Sequence, residues 1–215
     1  MMTPPDALRA RILAAAAKTP SPTRRDGRRS ALVLLGVSIV VAVTVFELAG
    51  GLARSAGRPF GITFAISGGW TGASAVLTWL VLGRGGSTLS RRPAWLAVAA
   101  LLAPLALFVW LRLFHGSYAE PYERVGYRCL GYTLVMAATP LAAFLRFRRG
   151  VEPRRPSLLG AAAGATCGAW AGVVVDLWCP LTAPMHALVG HVLPLVLLAS
   201  VGALVGSRML GVRSR

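Results

Sequence analysis

Acidic side chains are scarce. Seven Asp and Glu stand against 23 Lys and Arg in 215 residues, and charged residues of both signs make up only 14% of the chain. With 55% hydrophobic residues and a mean hydropathy of +0.64, that shortage excludes an ordinary water-soluble globule. Cysteine is also sparse: three residues, none in a Cys-x-x-Cys pair, which excludes a disulfide-stapled scaffold. Polar stretches are short. The longest lie over 1–31 and 112–128, so a separately folded soluble catalytic domain has no room, and the chain is expected not to be an enzyme. The first apolar block starts only near Leu32 and is too long for a signal-peptide core, so it is expected to remain as an anchor. Residues 32–111 and 129–206 show no convincing repeat, whereas transporters usually have one.

What the chain does have is long apolar blocks of about 18–22 residues, the length of helix that crosses about 30 Å of hydrocarbon. They predict helices over 32–52, 62–82, 94–111, 129–145, 158–178 and 185–206. The fourth contains Thr133, Thr139 and Pro140; proline is tolerated in a membrane helix where neighbours satisfy the freed carbonyl. The fold class expected is therefore all-α: a polytopic membrane bundle of about six transmembrane helices, with the lipid bilayer as its principal surroundings.

The net charge of +16 is distributed between the apolar blocks and not along one face, which argues against direct nucleic-acid binding. Counted by alternate segments, Lys and Arg total 18 on one side and five on the other. The positive-inside rule then puts the N-terminus, the 83–93 and 146–157 loops and the C-terminus in the cytoplasm. Three regions follow: a cytoplasmic tail over 1–31, a six-helix domain over 32–206 and a cytoplasmic tail over 207–215. Trp70, Trp79, Trp95, Trp110 and Trp178 fall near predicted helix ends, where interfacial anchoring places indoles.

Within the first tail, Thr3-Pro4-Pro5-Asp6 reads as a helix start, with a capping hydroxyl, prolines where amides lack partners and an acid in the first turn. A helix over 4–19 would put Leu8 and Ile12 on one face while Arg9 and Arg11 stay solvated. Such a helix either docks in a partner's groove or lies on the anionic inner leaflet.

In the fifth block, Gly160, Gly164, Gly168 and Gly172 recur every four residues. Small residues on one ridge let membrane helices touch backbone to backbone. The pairs Gly202 and Gly206, and Gly68 and Gly72, mark the sixth and second helices as candidate neighbours. A homo-oligomer through this ridge is the other option. One step further along it comes Asp176, which is expected to face the bundle, while Glu47 is the other carboxylate in a span. Carboxylates at such depth are either functional or structurally hydrogen-bonded.

Cys129 opens the fourth helix, Cys179 closes the fifth, and His186 and His191 begin the sixth, all on the outer side of the assigned topology. His115 lies in the outer loop and Cys167 at mid-membrane. Three readings of the cluster stay open: a disulfide or redox pair of Cys129 and Cys179, a metal site including the two histidines, or buried thiols. Against the metal stands the spacing, since residues five apart differ by about 140° around an α-helix. Pro184 and Pro194 are the features that could alter it. Nothing in the sequence demands a cofactor.

The short head before the first helix, Cys129, the glycine-laddered 156–172 segment and Asp176-Leu177-Trp178-Cys179-Pro180 followed by His186, His191 and Pro194 together form a pattern. It resembles the NrsF-type negative regulators of bacterial sigma factors, six-helix inner-membrane anti-sigma proteins. The resemblance is topological over the whole chain and specific from about 153 to 206. One departure is Trp178, where family members often carry His before the cysteine. The resemblance implies sequestration of an extracytoplasmic-function sigma factor at the inner membrane; the amphipathic tail residues Leu8, Arg9, Arg11 and Ile12 are the expected contact. Release would follow a thiol, metal or redox signal at Cys129, Cys179 and Asp176. Two alternatives remain: a small transporter relaying ions through Glu47 and Asp176, and a membrane thiol oxidoreductase.

Overall fold

The computed structural model describes residues 10, 14, 24–51, 57–82, 93–120, 125–148 and 153–211. Leu8, Arg9, Arg11 and Ile12 lie outside the described residues, as do most of the 83–93 loop and the last four residues.

Every regular element among the described residues is helical. The helices are α1 (Arg24–Leu48), α2 (Phe60–Leu82), α3 (Pro93–Phe114), α4 (Tyr127–Arg148), α5 (Pro156–Trp178) and α6 (Pro184–Leu210). Five of them, α2 to α6, are long and apolar enough to cross a membrane, and the apolar part of α1, Leu32–Leu48, is shorter. The architecture is that of a helical membrane bundle.

Boundaries differ from the sequence expectation where local chemistry intervenes. α1 starts at Arg24 and not at 32, because arginine is a good helix former. It ends at Leu48, followed by Gly50 and Gly51 at φ of 109° and 53°, a left-handed conformation that favours glycine. Pro104 and Pro140 sit inside continuous α3 and α4. Two buried hydroxyls return to their own helix, Ser74 donating to the Trp70 carbonyl at 2.8 Å and Thr166 to the Ala162 carbonyl at 2.7 Å, whereas those of Thr133 and Thr139 in α4 find no partner among the described residues.

α5 is the central helix. It packs most extensively on α6 and also touches α2, α3 and α4, while α1 lies mainly against α4. The glycine ladder explains this placement. A Cβ at Gly160 would run into the Gly202 carbonyl, and one at Gly164 into the Leu198 carbonyl. At Gly168 it would stand 2.9 Å from the Leu195 and Leu198 side chains, and at Gly172 it would meet the Trp70 ring at 3.7 Å. Thus the first three rungs seat α6 and the last seats α2. The ridge is filled within the chain.

Two expectations are corrected. α6 and α2 are both neighbours of α5, as their glycine pairs suggested, but Gly68 and Gly72 are not the contact: nothing lies within 4 Å of a Cβ at either, and α2 instead buries Ile66, Trp70, Ser74 and Leu77. Trp70, Trp110 and Trp178 are core residues, not interfacial anchors. The Trp70 and Trp110 rings lie 6.1 Å apart, within the range of favourable aromatic pairs. Trp79 and Trp95 are exposed. With Leu32, Val40, Phe64, Leu101, Phe108 and Leu204 they belong to an apolar outer surface that water would penalise and lipid would not.

Candidate functional site

The alternating helices bring the start of α4, the end of α5 and the start of α6 to one end of the bundle. There, one ligand atom from each of Cys129, Cys179, His186 and His191 lies within 4.8 Å of all the others, and all four residues are buried. Cys129 Sγ is 3.7 Å from Cys179 Sγ and 3.3 Å from His186 Nε2. Cys179 Sγ is 3.2 Å from the same nitrogen.

Local backbone explains how residues so separated in sequence converge. Cys179 caps the C-terminus of α5 in extended conformation, its amide donating to Val175 O, so its side chain turns back over the helix end. The first turn of α6, Pro184–Ala187, is followed by a π-helical segment, Leu188–Val192. Hydrogen bonding from i to i+5 brings residues five apart nearly one above the other, and the His186 and His191 rings stand 5.6 Å apart. The spacing objection to a shared site therefore disappears. Sequence periodicity assumes an α-helix and could not register this; Gly190 and the flanking prolines were the available signals.

Gly190 has a second role. A Cβ there would lie 2.9 Å from Cys129 Cβ and 3.1 Å from the Gly126 carbonyl, and one at Gly126 would strike the His186 carbonyl. These two glycines let the start of α4 press against α6, and sequence reasoning missed both. The segment between α5 and α6 closes the site. Its buried Thr182 donates from its amide to Glu120 Oε1 at 2.6 Å, and its hydroxyl donates to the same oxygen.

Cys129 and Cys179 share a thiol–thiol contact, 3.7 Å between the sulfurs, that favours keeping the proton on Cys179. That contact first, and burial second, hold the Cys179 thiol at about 11, well above its ordinary value. Its burial is unlike the exposed setting of the reactive thiolate in a dithiol oxidoreductase. His191 Nδ1 is buried with no hydrogen-bond partner among the described residues.

One turn below, Asp176 faces the bundle, 6% exposed. Arg58, from the segment before α2, donates to the Asp176 carbonyl oxygen at 3.1 Å and to both carboxylate oxygens at 3.4 Å. Ser67 Oγ donates to Oδ2 at 3.0 Å. A small cavity of about 20 Å³ joins this ion pair to the cluster, lined in part by Arg58, Asp176, Thr182 and His191. Arg58 was a topology-setting loop charge in the sequence; its role as counterion depends on a long-range contact that no local pattern encodes.

The remaining candidates do not converge here. Glu47 is exposed on α1, whereas Asp176 is buried inside the bundle. His115 is exposed beyond α3, and Cys167 lies half-buried midway along α5. The tail residues Leu8, Arg9, Arg11 and Ile12 fall outside the described residues.

Over 147 aligned positions, covering 64% of the chain, the sequence is 33% identical to a protein of Azospira oryzae described as "Probable anti-sigma-F factor NrsF". The aligned positions span 66% of the relative, just under two thirds of its length. No solved structure matches the chain. The sequence pattern of the family described as "Negative regulator of sigma F" matches residues 13–211, which include all six helices and the whole cysteine and histidine cluster. The chain belongs to the NrsF family, the negative regulators of sigma F.

Proposed function

We propose that this chain is an anti-sigma factor of the bacterial inner membrane. It holds an extracytoplasmic-function sigma factor at the cytoplasmic face and releases it when the cysteine and histidine end of the bundle receives a signal. The single observation that carries this reading is the polarity of the bundle in a chain of this family. One end gathers Cys129, Cys179, His186 and His191. The opposite end carries Arg146 and Arg148 in the last turn of α4, Arg155 at the cap of α5 and Arg208 in the last turn of α6.

By the positive-inside rule the arginine end faces the cytoplasm and both termini with it. The tail over 1–31 then meets the sigma factor, with Leu8 and Ile12 as the apolar contact and Arg9 and Arg11 reading acidic surface. About 30 residues offer a small interface, so the cytoplasmic loops over 83–93 and 146–157 contribute to it. Cys129, Cys179 and Asp176 form the sensing end. α5 is the physical link between the two ends, since it carries the capping Cys179 at one terminus and Arg155 at the other. No enzymatic step is required.

Retention of a sigma factor by the full-length protein, purified in detergent from the cells that make it, tests the proposal. The expected result is co-purification of one sigma factor, lost when Leu8→Asp and Ile12→Asp are combined while membrane insertion stays intact. Full-length protein that retains no sigma factor would overturn the reading. Undiminished retention by the double variant would remove the tail helix as the contact.

A further inference from the structure

We infer that Cys129, Cys179, His186 and His191 form a four-coordinate site for a borderline-soft divalent ion of the zinc type. The inference deepens the sensing reading above, on which its regulatory meaning rests, but the ligand geometry stands by itself.

With metal–sulfur bonds of about 2.3 Å and metal–nitrogen bonds of about 2.05 Å, a tetrahedral centre sets its donors about 3.8 Å apart for two sulfurs and about 3.6 Å for sulfur and nitrogen. The observed separations are 3.7 Å between the sulfurs and 3.3 and 3.2 Å from the sulfurs to His186 Nε2. The whole set lies within 4.8 Å, so the fourth donor, His191, closes the tetrahedron by moving about 1 Å or a little more. Two thiols and two imidazoles are the donor set that such ions prefer over the oxygen ligands of magnesium or calcium.

Charge fixes the valence of the ion. Binding converts both thiols to thiolates and sends two protons to solvent, while each imidazole coordinates as the neutral base. Two thiolates and a divalent ion sum to zero, which suits a site where all four residues are at least nine-tenths buried. His191 Nδ1 is buried without a hydrogen-bond partner among the described residues, as are Arg58 Nε, Trp70 Nε1 and Trp110 Nε1; of these His191 alone belongs to the ligand set, where an ion is one explanation.

The fold has also placed its irregularities around these ligands. The π-helical segment brings His186 and His191 together. The Gly126 and Gly190 contact brings Cys129 to them, and the extended cap turns Cys179 inward. An ion there would tie α4, α5 and α6 at one end, so its arrival or loss would change how those three helices meet.

Apo-protein prepared in detergent with reductant and chelator, freed of chelator and titrated with Co²⁺, tests the site. The expected result is one cobalt per chain, with a sulfur-to-cobalt charge-transfer band in the near ultraviolet and the intense red-visible bands of four-coordinate cobalt, both removed by Zn²⁺. Cys167→Ser should leave the spectrum unchanged. Cys129→Ser and His191→Ala should each weaken binding by roughly tenfold to a hundredfold or more, since even groups behind metal ligands carry that much. A wild-type spectrum without charge transfer would overturn the inference and needs no variant to interpret it. So would a Cys129→Ser titration identical to wild type. Sigma-factor retention is measured separately, so failure of the site and failure of the anti-sigma reading are told apart.

Discussion

Helix α5 and the Leu32–Leu48 stretch of α1 are both apolar, yet the bundle treats them in opposite ways. α5 buries fifteen of its 23 residues, glycines and alanines chief among them, and is surrounded by α2, α3, α4 and α6. α1 leaves Leu32, Val33, Leu35, Val37, Ile39, Val40 and Val43 exposed and rests mainly on α4. Hydrophobicity does not separate the two, because lipid tails are as apolar as leucine. What separates them is side-chain size: glycine and alanine let neighbouring backbones close in, so the smallest residues mark the middle of the bundle and the large aliphatic ones its rim.

The sharpest way to break the comparison is to disturb the charge that α5 buries. Arg58→Ala leaves the Asp176 carboxylate without its guanidinium in a site 6% exposed, and the expected loss is about 3–5 kcal/mol of stability. Thermal unfolding in detergent measures it. Arg58→Leu combined with Asp176→Leu should recover most of that loss, because removing both charges removes the desolvation cost. A double variant no better than the single one would mean that the pair contributes through geometry and not through charge.

Next comes the glycine seam. Gly164→Leu should cost roughly 1–3 kcal/mol or more, as overpacking does in close-packed interiors, since a Cβ there already meets the Leu198 carbonyl. The same substitution in α1, at Gly36, has nothing within 4 Å of the new Cβ. It should stay within about 0.5 kcal/mol of wild type. Equal effects at the two positions, read by accumulation and heat resistance, would erase the distinction between centre and rim.

The contrast was partly legible in the sequence. Apolar block length gave six helices, because the hydrocarbon thickness sets it, and the four-residue recurrence of Gly160, Gly164, Gly168 and Gly172 pointed to a close-packed ridge. Direction was harder. Gly68 and Gly72 have the same spacing but face outward, because a small-residue pair permits contact without requiring it. The tryptophans misled for a related reason: indole suits an interface and a core equally, and α5's small residues leave space that Trp70 fills against Gly172.

At the candidate site, chain order and charge bias placed Cys129, Cys179, His186 and His191 at one end. Their convergence was hidden by the π-helical segment, which changes the angular meaning of a five-residue spacing. Arg58 is one of the five basic residues on the sparse side of the charge bias, and nothing local to it points to its ion pair with Asp176, 118 positions away.

The central claim is that the cluster end and the arginine end face opposite compartments, so that a signal at one must cross the bilayer to reach the sigma factor at the other. In a cysteine-free background, His115→Cys places a single thiol on the exposed turn after α3, at the cluster end, and Ser207→Cys places one on the exposed last turns of α6, at the arginine end. A maleimide that cannot cross the inner membrane, applied to intact cells, should label His115→Cys directly and Ser207→Cys only after that membrane is opened. The reverse pattern would invert the topology, and equal labelling of both in intact cells would contradict a bundle that separates its two ends.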